Sequence, residues 1–218
     1  MNVIGDRKVN SRRKVFRPMA LQMTRWFLPT RILIILLIWT LSISAIHAST
    51  LTGSPFESRV YLANQELRLN GMGMRKLLFI DVYAAGLYLA GKTDTPGGVA
   101  ALGGPKRLQL RMLHSASPDD FIEALLPGIR RNTSPVQQAA LVERLAQLER
   151  NIRVIGRTAA GDVIDFDYLP EVGTVLSVNG QVRGAAIVGV DFYAAVLSIF
   201  VGERPVDAGL KKGLLGLP

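Results

Sequence analysis

Arg75 and Tyr83 are the two residues of this chain best suited by type and spacing to do chemistry. Arg75 follows Gly71-Met72-Gly73-Met74 and stands just before the most apolar stretch outside the N-terminus, LLFIDVYAAGLYLA at 77–90. A guanidinium grips a carboxylate through two parallel N–H donors. Tyr83 lies eight residues on. In an extended chain without a bulge, an even spacing puts both side chains on one face. The pair could then bind one carboxylate at the mouth of an apolar cavity. Each residue also has a plainer reading: Arg75 as a solvated arginine at a strand end, and Tyr83 as a core tyrosine with a satisfied hydroxyl.

The other polar candidates read as structure. His114 precedes a helix cap, and Arg130-Arg131 end a helix. Asn132-Thr133-Ser134 matches a glycosylation acceptor, which matters only in a pathway that glycosylates. Asp119/Asp120 fit helix capping, and Asp165/Asp167 fit alternation along an exposed strand face. The run Gly71-Met72-Gly73-Met74-Arg75-Lys76 lacks the third glycine of a dinucleotide fingerprint, and a strand follows it rather than a helix. It reads as a tight or bulged turn between strands. With no cysteine, the chain has no disulfide, thiolate metal site or cysteine nucleophile. Its two histidines, His47 and His114, are too few for a His-rich metal site. No cofactor is expected.

The elements that must position these residues follow from periodicity and punctuation. Residues 58–69 form two short strands around a turn at Asn64. Residues 77–90 form a strand with a bend or bulge at Ala84-Ala85-Gly86. Residues 105–113 alternate, with Leu108, Leu110 and Met112 facing in and Arg107, Gln109 and Arg111 on a wet face. Ser117-Pro118 and Ser134-Pro135 each start a helix. Pro127-Gly128 weakens or bends the first, and Val136, Ala140, Leu141, Leu145 and Leu148 stripe the second to about residue 150. Residues 151–190 return to β structure, with a turn at 170–173, a hairpin at Asn179-Gly180 and a return strand over 182–190. Asp191 caps a buried helix over 192–201, and a short helix spans 207–215. The order gives an α+β domain with helices gathered on one side of an antiparallel sheet.

The basicity of the chain is local. The net charge is +9, yet residues 1–48 carry eight basic residues against one acid, and residues 49–218 are nearly balanced. A nucleic-acid partner is therefore not expected. Residues 32–44, ILIILLIWTLSIS, are an uncharged run of 13 behind the basic segment, and small Ala48 follows. That is the pattern of a secretory signal. A spanning helix takes about 20 apolar residues. The n-region is long, so Met19 or Met23 is an alternative start. The alternative to cleavage is an N-terminal anchor, and only through it would the chain meet a membrane. In either case residues 49–218 form an exported domain, which in a bacterium would lie in the periplasm or envelope.

LNGMGMRKLLFIDVYAAGLYL at 69–89 and DFYAAVLSIFVGERPVDAGLKKGLLG at 191–216 resemble the opening strands and closing helices of the chalcone isomerase-like family, in the right order over residues 56–216. The resemblance is nearest to the bacterial exported branch. It implies an open-faced β-sandwich, a large antiparallel sheet with helices layered on one side and a ligand cleft between. The plant enzymes cyclise a chalcone with the help of an arginine, whereas other members bind fatty acids in the same cleft. By this resemblance Arg75 matches the family arginine. Tyr83 falls at the enzymes' threonine, where fatty-acid-binding members carry a tyrosine. The enzymes' active-site tyrosine falls near Phe121, their asparagine near Gly128, and their late threonine or serine near Ile199.

Chalcone cyclisation needs polar groups around the ketone oxygen, and of these only the arginine remains. The ligand-binding set expected is Arg75, Tyr83, Phe121, Leu125 and Ile199, with a fatty acid or similar small amphiphilic carboxylate as the ligand. The alternative is an intramolecular lyase or isomerase with Arg75 as electrophile and Tyr83 as proton donor. A third reading is an envelope module with a vestigial cleft.

Overall fold

Seven strands follow one another across a single antiparallel sheet, each paired with the next: β1 (Arg59–Leu62), β2 (Gln65–Leu77), β3 (Ile80–Leu89), β4 (Lys106–Met112), β5 (Val163–Leu169), β6 (Gly173–Val178) and β7 (Gln181–Val182). The structure is a computed structural model and describes residues 55–218. The expected leader, its apolar run and the expected cut after Ala48 lie outside the described residues. Turn chemistry explains two of the hairpins. Ala63 and Asn64 reverse the chain between β1 and β2 with positive φ, and Asn179-Gly180 does so between β6 and β7.

Five helices complete the fold among the described residues: α1 (Pro96–Ala101), α2 (Pro118–Asn132), α3 (Pro135–Ile155), α4 (Val190–Val201) and α5 (Ala208–Leu214). Ser117 and Ser134 cap α2 and α3 as expected. Each forms a reciprocal capping box, with Asp120 and Gln137, and each is followed by proline in the first turn. Alternation along β3 sorts its side chains between two cores. Ala85, Leu87 and Leu89 join Leu108, Leu110 and Met112 against Leu125, Ile129, Phe192, Val196 and Phe200 of the helices. Ala84 and Tyr88 point the other way, onto Phe56 and Leu67. This is the expected α+β architecture. Among the described residues no helix is long and apolar enough to cross a membrane.

Several local expectations are corrected. The Gly71–Lys76 run is not a turn; it lies inside β2. The chain reverses at Leu78-Phe79 instead, which divides the expected 77–90 strand between β2 and β3. The irregularities fall between Leu69 and Gly71 and between Arg75 and Lys76, not at 84–86. Gly86 serves close packing, since a Cβ there would meet the Phe56 ring at 2.7 Å. The face of Arg107, Gln109 and Arg111 is not wet. Gln109, Asp165 and Asp167 are buried there, with Arg107 forked onto Asp167 at 2.7 and 2.6 Å and Gln109 donating to Asp165 at 2.8 Å. Cross-strand pairing satisfies these groups, so polar alternation did not report contact with water.

The return strand shrinks to Gln181–Val182, followed by an isolated bridge between Thr174 and Ile187. Helix α3 runs on to Ile155. Its buried seam is Leu141, Leu148 and Ile152, while Val136 and Ala140 face solvent. Asp191 does not cap α4. Gly189 occupies the cap, and Asp191 in the first turn receives the Arg144 guanidinium at 2.6 and 2.7 Å. The Asn132 amide is engaged within the fold, donating to Gly128 and Arg204 carbonyls and accepting from Arg204 N.

Gly71 and Gly73 share the face of β2 on which α5 lies. A Cβ on Gly71 would collide with the Gly213 carbonyl, and one on Gly73 would stand 3.0 Å from the Leu210 carbonyl oxygen. Gly71→Ala is expected to cost about 1–3 kcal/mol in urea denaturation, because backbone cannot step aside as a flexible side chain can. Gly97→Ala, in a helix with no heavy atom within 4 Å of the added carbon, is expected to be neutral or to stabilise by up to about 1 kcal/mol.

Candidate functional site

The hairpin of β2 and β3 sets Arg75 directly opposite Tyr83. Directly opposed residues of an antiparallel pair share a face. Tyr83 packs against the core beneath the helices, so Arg75 also belongs to the helix-covered side. The sequence argument reached this shared face by another route. A bulge does intervene after Arg75 and the chain reverses, and cross-strand pairing supplies the proximity.

Arg75 is not a solvated strand-end residue. Its side chain is 21% exposed, and its Nη1 lies 3.3 Å from Asp207 Oδ2 and also donates to the Lys76 carbonyl. Asp207 is the N-cap of α5. Its Oδ1 accepts from Leu210 N at 3.0 Å and its Oδ2 from Lys76 N at 3.3 Å. Burial pushes the Asp207 carboxyl upward, but the N–H groups of Leu210, Lys76 and Gly209 and the Arg75 guanidinium outweigh it and hold the carboxyl below its ordinary 3.8. The Tyr83 hydroxyl is pushed well above its usual value by burial, with Arg75 opposing the shift and Asp207 adding to it. It therefore keeps its proton across the physiological range and acts as a donor.

A guanidinium carries five N–H donors, and here only Nη1 is engaged among the described residues. Nε and Nη2 form the edge that takes a carboxylate in two parallel bonds. The Tyr83 hydroxyl, without a partner among the described residues, stands on the same face. These donors can hold one carboxylate or polarise one carbonyl oxygen.

The apolar members of the expected set lie in the helix layer. Phe121 is partly buried against the core, and Leu125 and Ile199 are 5% and 1% exposed within it. They share with Tyr83 the core between sheet and helices. Gly128 of α2 packs on Ile199 of α4, and a Cβ at 128 would stand 2.9 Å from Ile199 Cγ2. An amide side chain has no room at 128 unless Ile199 moves. Asp207 is the residue that sequence reasoning missed. It reads there only as a helix start, and nothing in a separation of 132 residues signals its pairing with Arg75.

A cavity of about 220 Å³ lies between α1 and α4, lined by Val99, Ala100, Leu197 and Val201 together with Lys106. Burial lowers the pKa of Lys106, whose Nζ donates to the Leu102 carbonyl at 2.5 Å and lies 5.6 Å from the Tyr168 ring centre. Lys106 begins β4, whereas Tyr83 pairs with Met112 at its other end, so this cavity sits away from Arg75.

Comparison with known proteins adds two findings. The model of a family described as chalcone isomerase-like matches residues 48–216. Among solved structures, the chain is similar to a fatty-acid-binding protein of Arabidopsis thaliana, with a TM-score of 0.56 and 16% identity over 73% of this chain and 90% of that one. At that identity the likeness establishes the fold. No curated protein matches the chain at a significant level.

The depressed Asp207 carboxyl links the site to pH. A carboxyl whose folded value is lowered contributes stability that is present above its unfolded value and lost as pH falls through the folded one. Asp207→Ala is expected to cost about 0.5–2 kcal/mol near neutrality, the usual worth of an N-cap. The gap from the parent chain should narrow as pH falls below 3.8, measured by urea denaturation across pH.

Proposed function

The chain belongs to the chalcone isomerase-like family, and from that membership we propose that it is an exported, non-catalytic binding protein for a fatty acid or similar amphiphilic carboxylate. The observation that carries this reading is the Arg75 guanidinium, four-fifths buried on the helix-covered face, with Nη1 held by Asp207, Nε and Nη2 without a partner among the described residues, and Tyr83 directly opposite across the strand pair. The carboxylate takes that edge, and the tail runs among apolar side chains such as Phe121, Leu125 and Ile199.

Burying a ten-carbon tail gives at most roughly 8 kcal/mol before ordering costs, at about 0.8 kcal/mol per methylene. The arginine contributes mainly orientation, because its own desolvation offsets much of the attraction. Cyclisation chemistry has less support. By the resemblance, Phe121, Gly128 and Ile199 fall near positions where the family's enzymes carry hydroxyl and amide groups, and Gly128 and Ile199 are pressed together. Export is supported by the basic, then apolar, leader over residues 1–48.

Two measurements test the reading. Organic extracts of the purified protein should contain a carboxylic acid, identified by mass spectrometry. In calorimetry Arg75→Ala should weaken decanoate binding by about 10-fold or more, and Tyr83→Phe by about 3-fold, the worth of a charged and a neutral hydrogen bond. An extract free of carboxylic acids, with decanoate affinity unchanged in Arg75→Ala, overturns it.

A further inference from the structure

The hairpin that carries Arg75 and Tyr83 ends on four consecutive apolar residues, and all four face solvent. Leu77, Leu78, Phe79 and Ile80 are 57%, 87%, 100% and 55% exposed. None belongs to either core cluster. The tip also stands clear of the sheet. β1 pairs with β2 only as far as Arg68, and β4 ends at Met112 opposite Tyr83, with one more backbone bond from Leu113 to Val82. Beyond that, residues 77–81 have no strand beside them among the described residues other than the two arms of their own hairpin.

The turn itself is built from the wrong residues for a turn. Leu78 has φ +56°, a conformation that glycine and asparagine adopt most readily. The same sheet places Ala63-Asn64, Gly173 and Asn179-Gly180 at its other positive-φ hairpin turns, so that each of those turns contains an asparagine or a glycine. Here the chain keeps leucine and phenylalanine instead, at positions where neither helps the fold. Behind the tip stands Lys76, 64% exposed in its side chain and 3.5 Å from the half-exposed Asp81, while Arg75 turns inward to Asp207. An apolar apex with an exposed lysine behind it is the arrangement of an interfacial anchor, in which the lysine exchanges a weak surface pair for anionic headgroups.

We propose that the β2–β3 hairpin tip, Leu77 to Ile80, inserts into the interfacial layer of an anionic lipid bilayer and sets the Arg75–Tyr83 face at the membrane surface. A lipid surface suits this feature better than a protein partner. A stable protein interface takes about 20–30 residues a side with matched shape, and a projecting tip of four residues offers neither the area nor the flank. A bilayer asks for no shape match. The inference goes beyond the carrier reading and does not rest on it: insertion belongs to the tip and is expected to persist when Arg75→Ala weakens carboxylate binding.

The chain has no cysteine, so single labels can be placed cleanly. The test uses the full chain with Leu77→Cys carrying an environment-sensitive fluorophore, and vesicles of equal parts phosphatidylethanolamine and phosphatidylglycerol. The control label is at Val182→Cys, an exposed position on β7 at the far edge of the sheet. On adding vesicles, the label at 77 should shift to the blue and be quenched about twofold or more by brominated acyl chains, while the label at 182 stays in water.

Adding Leu78→Asn and Phe79→Gly should abolish the quenching and leave the melting temperature unchanged or raised, because the turn then has its preferred residues. Phe79→Ser, which leaves Leu78 in place, should cut the quenching by about half, since the most exposed apolar side chain is lost. A label at 77 that behaves like the one at 182, or quenching untouched by these substitutions, overturns the proposal. So does a label already blue-shifted without vesicles, which would mean that a second copy or the chain's own N-terminal segment covers the tip.

Discussion

Helix α5 rests on β2 backbone to backbone, and the rest of the site depends on that contact. Gly71 and Gly73 leave no side chains between strand and helix, and Gly213 does the same from the helix side, where a Cβ would press on the Met72 carbonyl and the Gly73 α-carbon. The approach brings the start of α5 to the end of β2. Asp207 can then cap its own helix and hold the Arg75 guanidinium at once. If a methyl group separated the two backbones, the helix would ride higher and this ion pair would lose its geometry. Buffers of water would then compete for the arginine. The glycines thus set the burial of a charge several residues away.

Polarity is divided between the two faces of the sheet. On the face away from the helices, Arg107, Asp165, Asp167 and Gln109 answer one another across β4 and β5, so their charge is spent internally. Burial still pushes the Asp165 carboxyl upward, ahead of the opposing pull of Arg107 and Gln109. On the helix side the sheet is mainly apolar, with Lys106 at the start of β4 and the guanidinium of Arg75 near the end of β2 as its charged groups. A single inward guanidinium on an apolar surface is what the proposed carrier reading uses to orient an amphiphile.

The apolar hairpin tip gives this arrangement a direction. The residues that reach furthest from the sheet lie next along the chain to the residues that could hold a carboxylate. If both proposals hold, a membrane-derived acid would meet the tip first and then the covered face that carries Arg75 and Tyr83.

How well each feature could be read from the chain follows from the range of the interaction behind it. Ser117-Pro118, Ser134-Pro135 and Asn179-Gly180 act within a few residues, and their caps and turn stand where the sequence puts them. The alternation of Leu108, Leu110 and Met112 marks the core side of β4 for the same reason. The turn at Leu78-Phe79 was hidden because it uses no turn-forming residue. The wet face assigned to Gln109 and Asp165 was wrong because polarity in one strand does not reveal a partner in the next. The two glycines looked like a turn, since a glycine needed for close approach and one needed for a bend are the same letter. Local chemistry, written in neighbouring residues, established the elements, the absence of cysteine chemistry and the identity of the one candidate arginine. Long-range packing alone could turn that arginine inward, give it Asp207 and leave Phe79 in water, because those outcomes depend on which distant backbones can approach each other, and that information is not carried by any single stretch of chain.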